Sequence, residues 1–177
     1  GRQARPDEQE ILSRYVGWGG IPQAFDEENT QWSEEYRQLK ELLTEKEYDA
    51  ARSSTLNAHY TSPTVIRAMY DAIEKMGFRT GNVLEPSCGV GNFFGMLPDD
   101  MSGSRLYGVE LDSITGRIAR QLYPDARITI SGFEKTQRRD FFDLAIGNVP
   151  FGGYKVSDKQ FDKYNFLIHD YFFAKTL

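Results

Sequence analysis

The chain has little with which to build a disulfide, a metal centre or a membrane span. Its 177 residues include one cysteine, Cys88, which excludes an intramolecular disulfide and fits a reducing compartment. The two histidines lie far apart and away from Cys88, so no metal-ligand spacing is present. No apolar run approaches the roughly 20 residues of a membrane-spanning helix, and no signal-peptide pattern opens the chain. Cations are also short: 21 basic against 26 acidic residues leave a net charge of −5. That is a poor footprint for a stand-alone duplex-DNA binder, because such affinity rests on neutralising phosphates. An initiator Met is absent, and the start at Gly1 reads as an excerpt of something larger.

What is present suits a globular fold. The chain is 40% hydrophobic and 27% charged, and long enough for one domain with a real core. Residues 1–57 read as a helical extension. Pro6 and Asp7 open a helix that Gly17 can end, and Gly17-Trp18-Gly19-Gly20-Ile21-Pro22 is a turn-rich break. A second helix is expected over about Ser33–Leu43, with Leu39, Leu42 and Leu43 as core. A third should begin at Thr44, which forms a capping box with Glu47.

Residues 58–177 alternate strand and helix, the pattern of a parallel α/β sheet. Ser62 and Pro63 start a helix that runs to about Met76 and closes at Gly77. Strands are expected at Asn82–Glu85, Arg105–Leu111, Arg127–Ile130 and Phe142–Ile146. Helices should begin near Asn92, span Ser113–Leu122, and start again near Tyr164. The expected strand order is 3-2-1-4, leaving the fourth strand as an edge.

Ligands of such sheets bind beyond the carboxyl ends of the strands. There the sequence places Glu85-Pro86-Ser87-Cys88-Gly89-Val90-Gly91-Asn92-Phe93. Gly89 and Gly91 allow a sharp turn and close backbone approach, and a helix behind them would aim its N–H groups at the loop. The string departs from the dinucleotide Gly-x-Gly-x-x-Gly fingerprint, favouring a ligand with an amino acid in place of pyrophosphate. The next strand ends Glu110-Leu111-Asp112. Glu110 is the candidate acceptor for two ribose hydroxyls, and Asp112 the cap of the following helix. After the third strand, Phe133 offers a ring to stack on an adenine, with core packing as its competing role. Glu134 is a candidate acceptor for the adenine amine.

The fourth strand runs into Asn148-Val149-Pro150-Phe151. The amine of adenine is a weak nucleophile because its lone pair is delocalised into the ring. The Asn148 side-chain oxygen and the Val149 carbonyl can grip its two N–H bonds without a general base. Pro150 holds Val149 extended, and Phe151 offers a face for an extracted base, where stacking is worth about 1–3 kcal/mol. That helps to offset the few kcal/mol of base flipping.

These two motifs resemble the gamma class of amino-DNA methyltransferases. Asn148-Val149-Pro150-Phe151 matches its Asn-Pro-Pro-Tyr/Phe signature, and Glu85 to Phe93 its cofactor loop. His59-Tyr60-Thr61-Ser62-Pro63 matches its Tyr-Thr-x-Pro element, which implies that Tyr60 and Thr61 hold the methionine carboxylate. The match covers residues 58–155. Val149 replaces a proline, which the mechanism tolerates because it uses the carbonyl; Gly132 stands where the class often has an Asp facing the cofactor amine. The resemblance implies a Rossmann-like class I methyltransferase fold, truncated to four of seven strands. It also implies S-adenosylmethionine as cofactor and transfer of its methyl group to N6 of adenine in DNA, as in restriction–modification systems.

The front part, with Tyr15-Val16-Gly17-Trp18-Gly19-Gly20 and residues 54–61, resembles large methyltransferase–helicase proteins of bacterial mobile elements and phages. This implies a cytoplasmic bacterial setting, DNA as partner through the parent protein, and a helicase-like segment of the same parent chain. Lys135, Arg138, Arg139, Lys155, Lys159 and Lys163 are expected near the pocket mouth, where they can meet phosphates. Two other readings stand beside this one: a methyltransferase for an RNA base or a protein glutamine, and a degenerate, non-catalytic DNA-docking module.

Overall fold

The computed structural model describes residues 1–55 and 60–177. Leu56 to His59 lie outside the described residues, and with them the expected boundary at 57/58 and the His59 of the Tyr-Thr-x-Pro element.

Three helices occupy the N-terminal part: α1 (Pro6–Ser13), α2 (Ser33–Leu42) and α3 (Glu45–Ser54). The Thr44 capping box forms as expected, with Thr44 Oγ1 accepting from Glu47 N–H and Glu47 accepting from Thr44 N–H at 2.9 Å. Helices α2 and α3 pack around Ala24, Phe25, Tyr48 and Ala51, with Leu39 and Leu43 against them, while α1 lies on the helix Ser113–Leu122 that flanks the sheet. Leu42, expected in that core, is 77% exposed, because its position on α2 faces away from the Phe25–Tyr48 pair.

The rest is a parallel sheet flanked by helices. In chain order come α4 (Pro63–Lys75), β1 (Asn82–Glu85), α5 (Asn92–Gly95), β2 (Arg105–Glu110), α6 (Ser113–Leu122), β3 (Arg127–Ile130), β4 (Leu144–Ala145) and α7 (Ile168–Thr176). All pairs are parallel and the order is β3-β2-β1-β4, as expected for a Rossmann-like α/β sheet. Alternation along the strands separates two layers. Val83 and Leu106 face α4, whose Ile66, Tyr70 and Ile73 are buried against them. Leu84, Tyr107 and Val109 face the other way, onto Ile168, Tyr171 and Phe172 of α7. Among the described residues no helix is long and apolar enough to cross a membrane.

Three elements differ from expectation. The fourth strand is two residues long, not five, since β1 pairs with it only at Val83 and Leu84. The last helix starts at Ile168, not near Tyr164, because Asn165 takes a left-handed turn at φ 57° after a short 3-10 turn. The helix behind the glycine loop is a single turn, halted by Met96-Leu97-Pro98. So short a helix carries little dipole, and the loop's own geometry has to position a ligand.

Candidate functional site

One cleft gathers most of the residues that the sequence singled out. At the carboxyl ends of β1 and β2 it is lined by Tyr60, Thr61, Glu85, Ser87, Cys88, Gly89, Asn92, Phe93 and Glu110, and closed at one side by Asn148, Val149, Pro150 and Phe151. The two motifs, some sixty residues apart in the chain, therefore face one space.

The loop is built by left-handed glycines. Gly89 has φ 55° and Gly91 φ 88°, conformations that L side chains rarely adopt. The turn is closed by Gly91 N–H donating to Cys88 O at 2.8 Å, and tied to β2 by Cys88 N–H donating to Val109 O at 2.9 Å. A Cβ on Gly91 would sit 2.6 Å from the Tyr123 ring. Gly91 thus serves the packing of α6 and is buried away from the cleft, as is Pro86.

Glu110 organises the floor. One carboxylate oxygen accepts from Gly89 N–H at 2.8 Å and the other from Asp112 N–H at 2.8 Å. Burial nonetheless raises its pKa, these backbone bonds only partly offsetting the desolvation. Each oxygen keeps a lone pair for a ligand. Asp112 caps α6 as expected, accepting from Thr115 N–H at 2.9 Å through Oδ2.

Glu85 is the outlier of the site. It is 2% exposed, and its Oε2 has no hydrogen-bond partner. Burial first, and the neighbouring Glu110 charge second, push its pKa well above the ordinary carboxylate range. The Cys88 thiol is likewise pushed up by burial, which leaves it inert as a nucleophile. Among the described residues no lysine or arginine lines the cleft, while three carboxylates do: Glu85, Glu110 and Asp112. Such a space disfavours a pyrophosphate and suits a cation.

Other residues lie elsewhere. Phe133 is 6% exposed, off the cleft, with its ring stacked on Phe172 at 4.9 Å. Its role is core packing, because α7 covers the sheet face toward which the ring turns. Leu111 is 77% exposed and also off the cleft, since β2 ends one residue earlier, at Glu110. None of the six basic residues expected at the mouth lines it. Arg138 lies over Phe141 at 4.4 Å, and the Phe141 carbonyl accepts from Asn82 at the entry of β1, the far end of the strands.

The sequence reading missed Tyr15, Gly17 and Ser54 of the N-terminal extension, and also Thr115 and Tyr154, all of which line the cleft. Gly17 was legible as the start of a turn-rich break, but nothing local to it or to Tyr15 says where the segment folds.

No protein-family profile matches the chain. Two curated proteins are similar to it. "Defense against restriction protein B" of Escherichia phage P1 is 34% identical over 102 residues, 56% of this chain. "Type II methyltransferase M.CvrRI" of Paramecium bursaria Chlorella virus XZ-6E is 35% identical over 79 residues, 44% of this chain. The matches span only 4% and 21% of those proteins' own lengths. Among solved structures, a modification subunit of a type I restriction enzyme from Vibrio vulnificus is 21% identical, with a TM-score of 0.48 over 71% of this chain and 30% of that one. A TehB-like SAM-dependent methyltransferase from Corynebacterium glutamicum is 23% identical, with a TM-score of 0.39 over 67% of this chain and 53% of that one.

Proposed function

We propose that the cleft binds S-adenosylmethionine and serves methyl transfer to the N6 amine of adenine in DNA. The observation that carries this reading is the buried, unpaired Glu85 carboxylate oxygen in one cleft with Asn148-Val149-Pro150-Phe151. An unpaired buried carboxylate is costly, and a cationic ligand would relieve it. S-adenosylmethionine fits, as it carries an ammonium and a sulfonium and no phosphate. The similarity to a type II methyltransferase supports the same reading.

Bound there, S-adenosylmethionine supplies a methyl group on positively charged sulfur. The chain's residues do the positioning. Glu85 faces the cation, the Gly89 backbone closes over the ligand, and Glu110 accepts from the ribose hydroxyls. Tyr60 and Thr61 line the side where the methionine carboxylate would lie. The Asn148 side-chain oxygen and the Val149 carbonyl hold the two amine protons, so that the nitrogen lone pair points at the methyl group. Both acceptors are neutral, and the proton released after transfer leaves to solvent. Phe151, 61% exposed at the rim, presents a face to a flipped base. DNA recognition beyond the base falls to other parts of a parent protein, where a helicase-like segment also belongs.

Calorimetric titration of S-adenosylmethionine into the chain, with Glu110→Ala beside it, tests the cofactor half. Saturable binding that is lost in the variant is expected; no binding by the wild type overturns it. A labelled-methyl assay on DNA, RNA and protein tests the substrate. Label in RNA or protein, with none in DNA, would replace adenine in DNA as the substrate.

A further inference from the structure

Among the described residues five buried side-chain polar atoms lack a hydrogen-bond partner, and three of the five belong to residues lining the cleft: Glu85 Oε2, Asp112 Oδ1 and Tyr15 Oη. Glu85 is accounted for by a cation. The other two form a separate group, and one of them comes from the N-terminal extension, which the transfer chemistry does not use.

The extension is fastened to the methyltransferase-like sheet through α6. The Gln121 side chain accepts from Ala4 N–H at 2.6 Å, and its backbone carbonyl accepts from Gln9 Nε2 at 2.7 Å. Arg117, one turn earlier on α6, pairs with Glu47 of α3. Aromatic packing then carries the extension toward the cleft: Phe25 against Trp18 at 5.6 Å, and Trp18 against Tyr15 at 5.9 Å, both edge to face. This fixes the Tyr15 ring from behind and leaves its hydroxyl beside Thr115, Asp112 and Glu110. Burial raises the Tyr15 pKa to about 12, so the hydroxyl stays neutral and available as a donor. Asp112 spends Oδ2 on capping α6, and its Oδ1 is an open acceptor.

A fixed donor and a free acceptor beside Glu110 match a vicinal diol, in which each hydroxyl both donates and accepts. We infer that the N-terminal extension completes the cofactor site, with Tyr15 donating to the ribose diol and Asp112 accepting from it alongside Glu110. This rests on the cofactor reading above. Residues 1–55 are then a wall of the site, and Tyr15 a specificity residue for ribose over deoxyribose.

The test is calorimetric binding of S-adenosylhomocysteine and of its 2′-deoxy and 3′-deoxy analogues to wild type and to Tyr15→Phe. The phenyl ring keeps the contact with Trp18, and a thermal melt verifies the fold. Loss of one such hydrogen bond is expected to weaken S-adenosylhomocysteine about tenfold in Tyr15→Phe. At least one deoxy analogue should bind wild type and variant alike. A second variant, Asp112→Asn, keeps a capping side chain and should also lower affinity and the ribose preference. Unchanged affinity and ribose preference in Tyr15→Phe, with the wild type binding, would overturn this inference and leave the cofactor reading standing. Failure of the wild type to bind S-adenosylhomocysteine or S-adenosylmethionine would overturn both.

Discussion

At the scale of single residues, Glu85 sets function against stability. Its folded pKa is raised, so above the ordinary carboxylate value of about 4.3 the unfolded chain gives up a proton that the folded chain retains. Stability therefore falls as pH rises from there toward the raised folded value. Glu85→Gln removes this penalty while matching the shape of the protonated acid. Its melting temperature should exceed that of the wild type by a margin that grows with pH above about 4.5 and vanishes near pH 3. The same variant should bind S-adenosylmethionine about tenfold or more weaker. A lower melting temperature for the variant at neutral pH would contradict the assigned burial. Asn148→Ala, in a methylation-competent protein, should abolish transfer and leave cofactor affinity intact; retained transfer would remove Asn148 from the chemistry. Glu110, Asp112 and Gly91 had local signals in the sequence, namely a strand end, a cap and a glycine. Phe133 did not reveal its place, because an aromatic after a strand can face a ligand or a helix, and only α7 decides.

At the scale of elements, the segment after the Asn-Val-Pro-Phe tetrapeptide is held by one nearly buried ion pair. Asp158 accepts from Lys175 Nζ at 2.7 Å and from the Tyr171 hydroxyl at 2.8 Å, with the two charged side chains 9% and 11% exposed. Lys175 also donates to the Glu134 backbone carbonyl at 3.1 Å, which ties the turn after β3 to α7. Lys175→Met leaves a buried carboxylate unpaired and should cost about 3 kcal/mol in chemical denaturation. A loss below about 1 kcal/mol would mean that solvent screens the pair. Helix and strand positions were legible wherever a cap or alternation was present, as at Ser113–Leu122 and Asn82–Glu85. The shortened β4 and the late start of α7 were not. An edge strand ends where its neighbour stops pairing, and the left-handed Asn165 carries no signature beyond tolerance for that conformation.

At the scale of the whole molecule, the strand order and the meeting of the two motifs followed from the alternating pattern. The closeness of Tyr15 to Glu110 did not, since a contact spanning almost a hundred residues leaves no local mark. With a net charge of −5 and, among the described residues, no lysine or arginine lining the cleft, the chain should bind duplex DNA weakly. If Lys155, Lys159 and Lys163 are its phosphate contacts, log affinity should fall with log salt at a slope no steeper than about −3. A markedly steeper slope would require contacts from other basic residues. Cys88 has one more consequence. It is the sole thiol of the chain, is 3% exposed, and lies in the loop that closes over the proposed ligand. A maleimide can reach it only when that loop opens, so the labelling rate of the native protein is a clock for local opening. Occupancy of the cleft should slow the clock, which would let binding be timed without a fluorophore or a substrate.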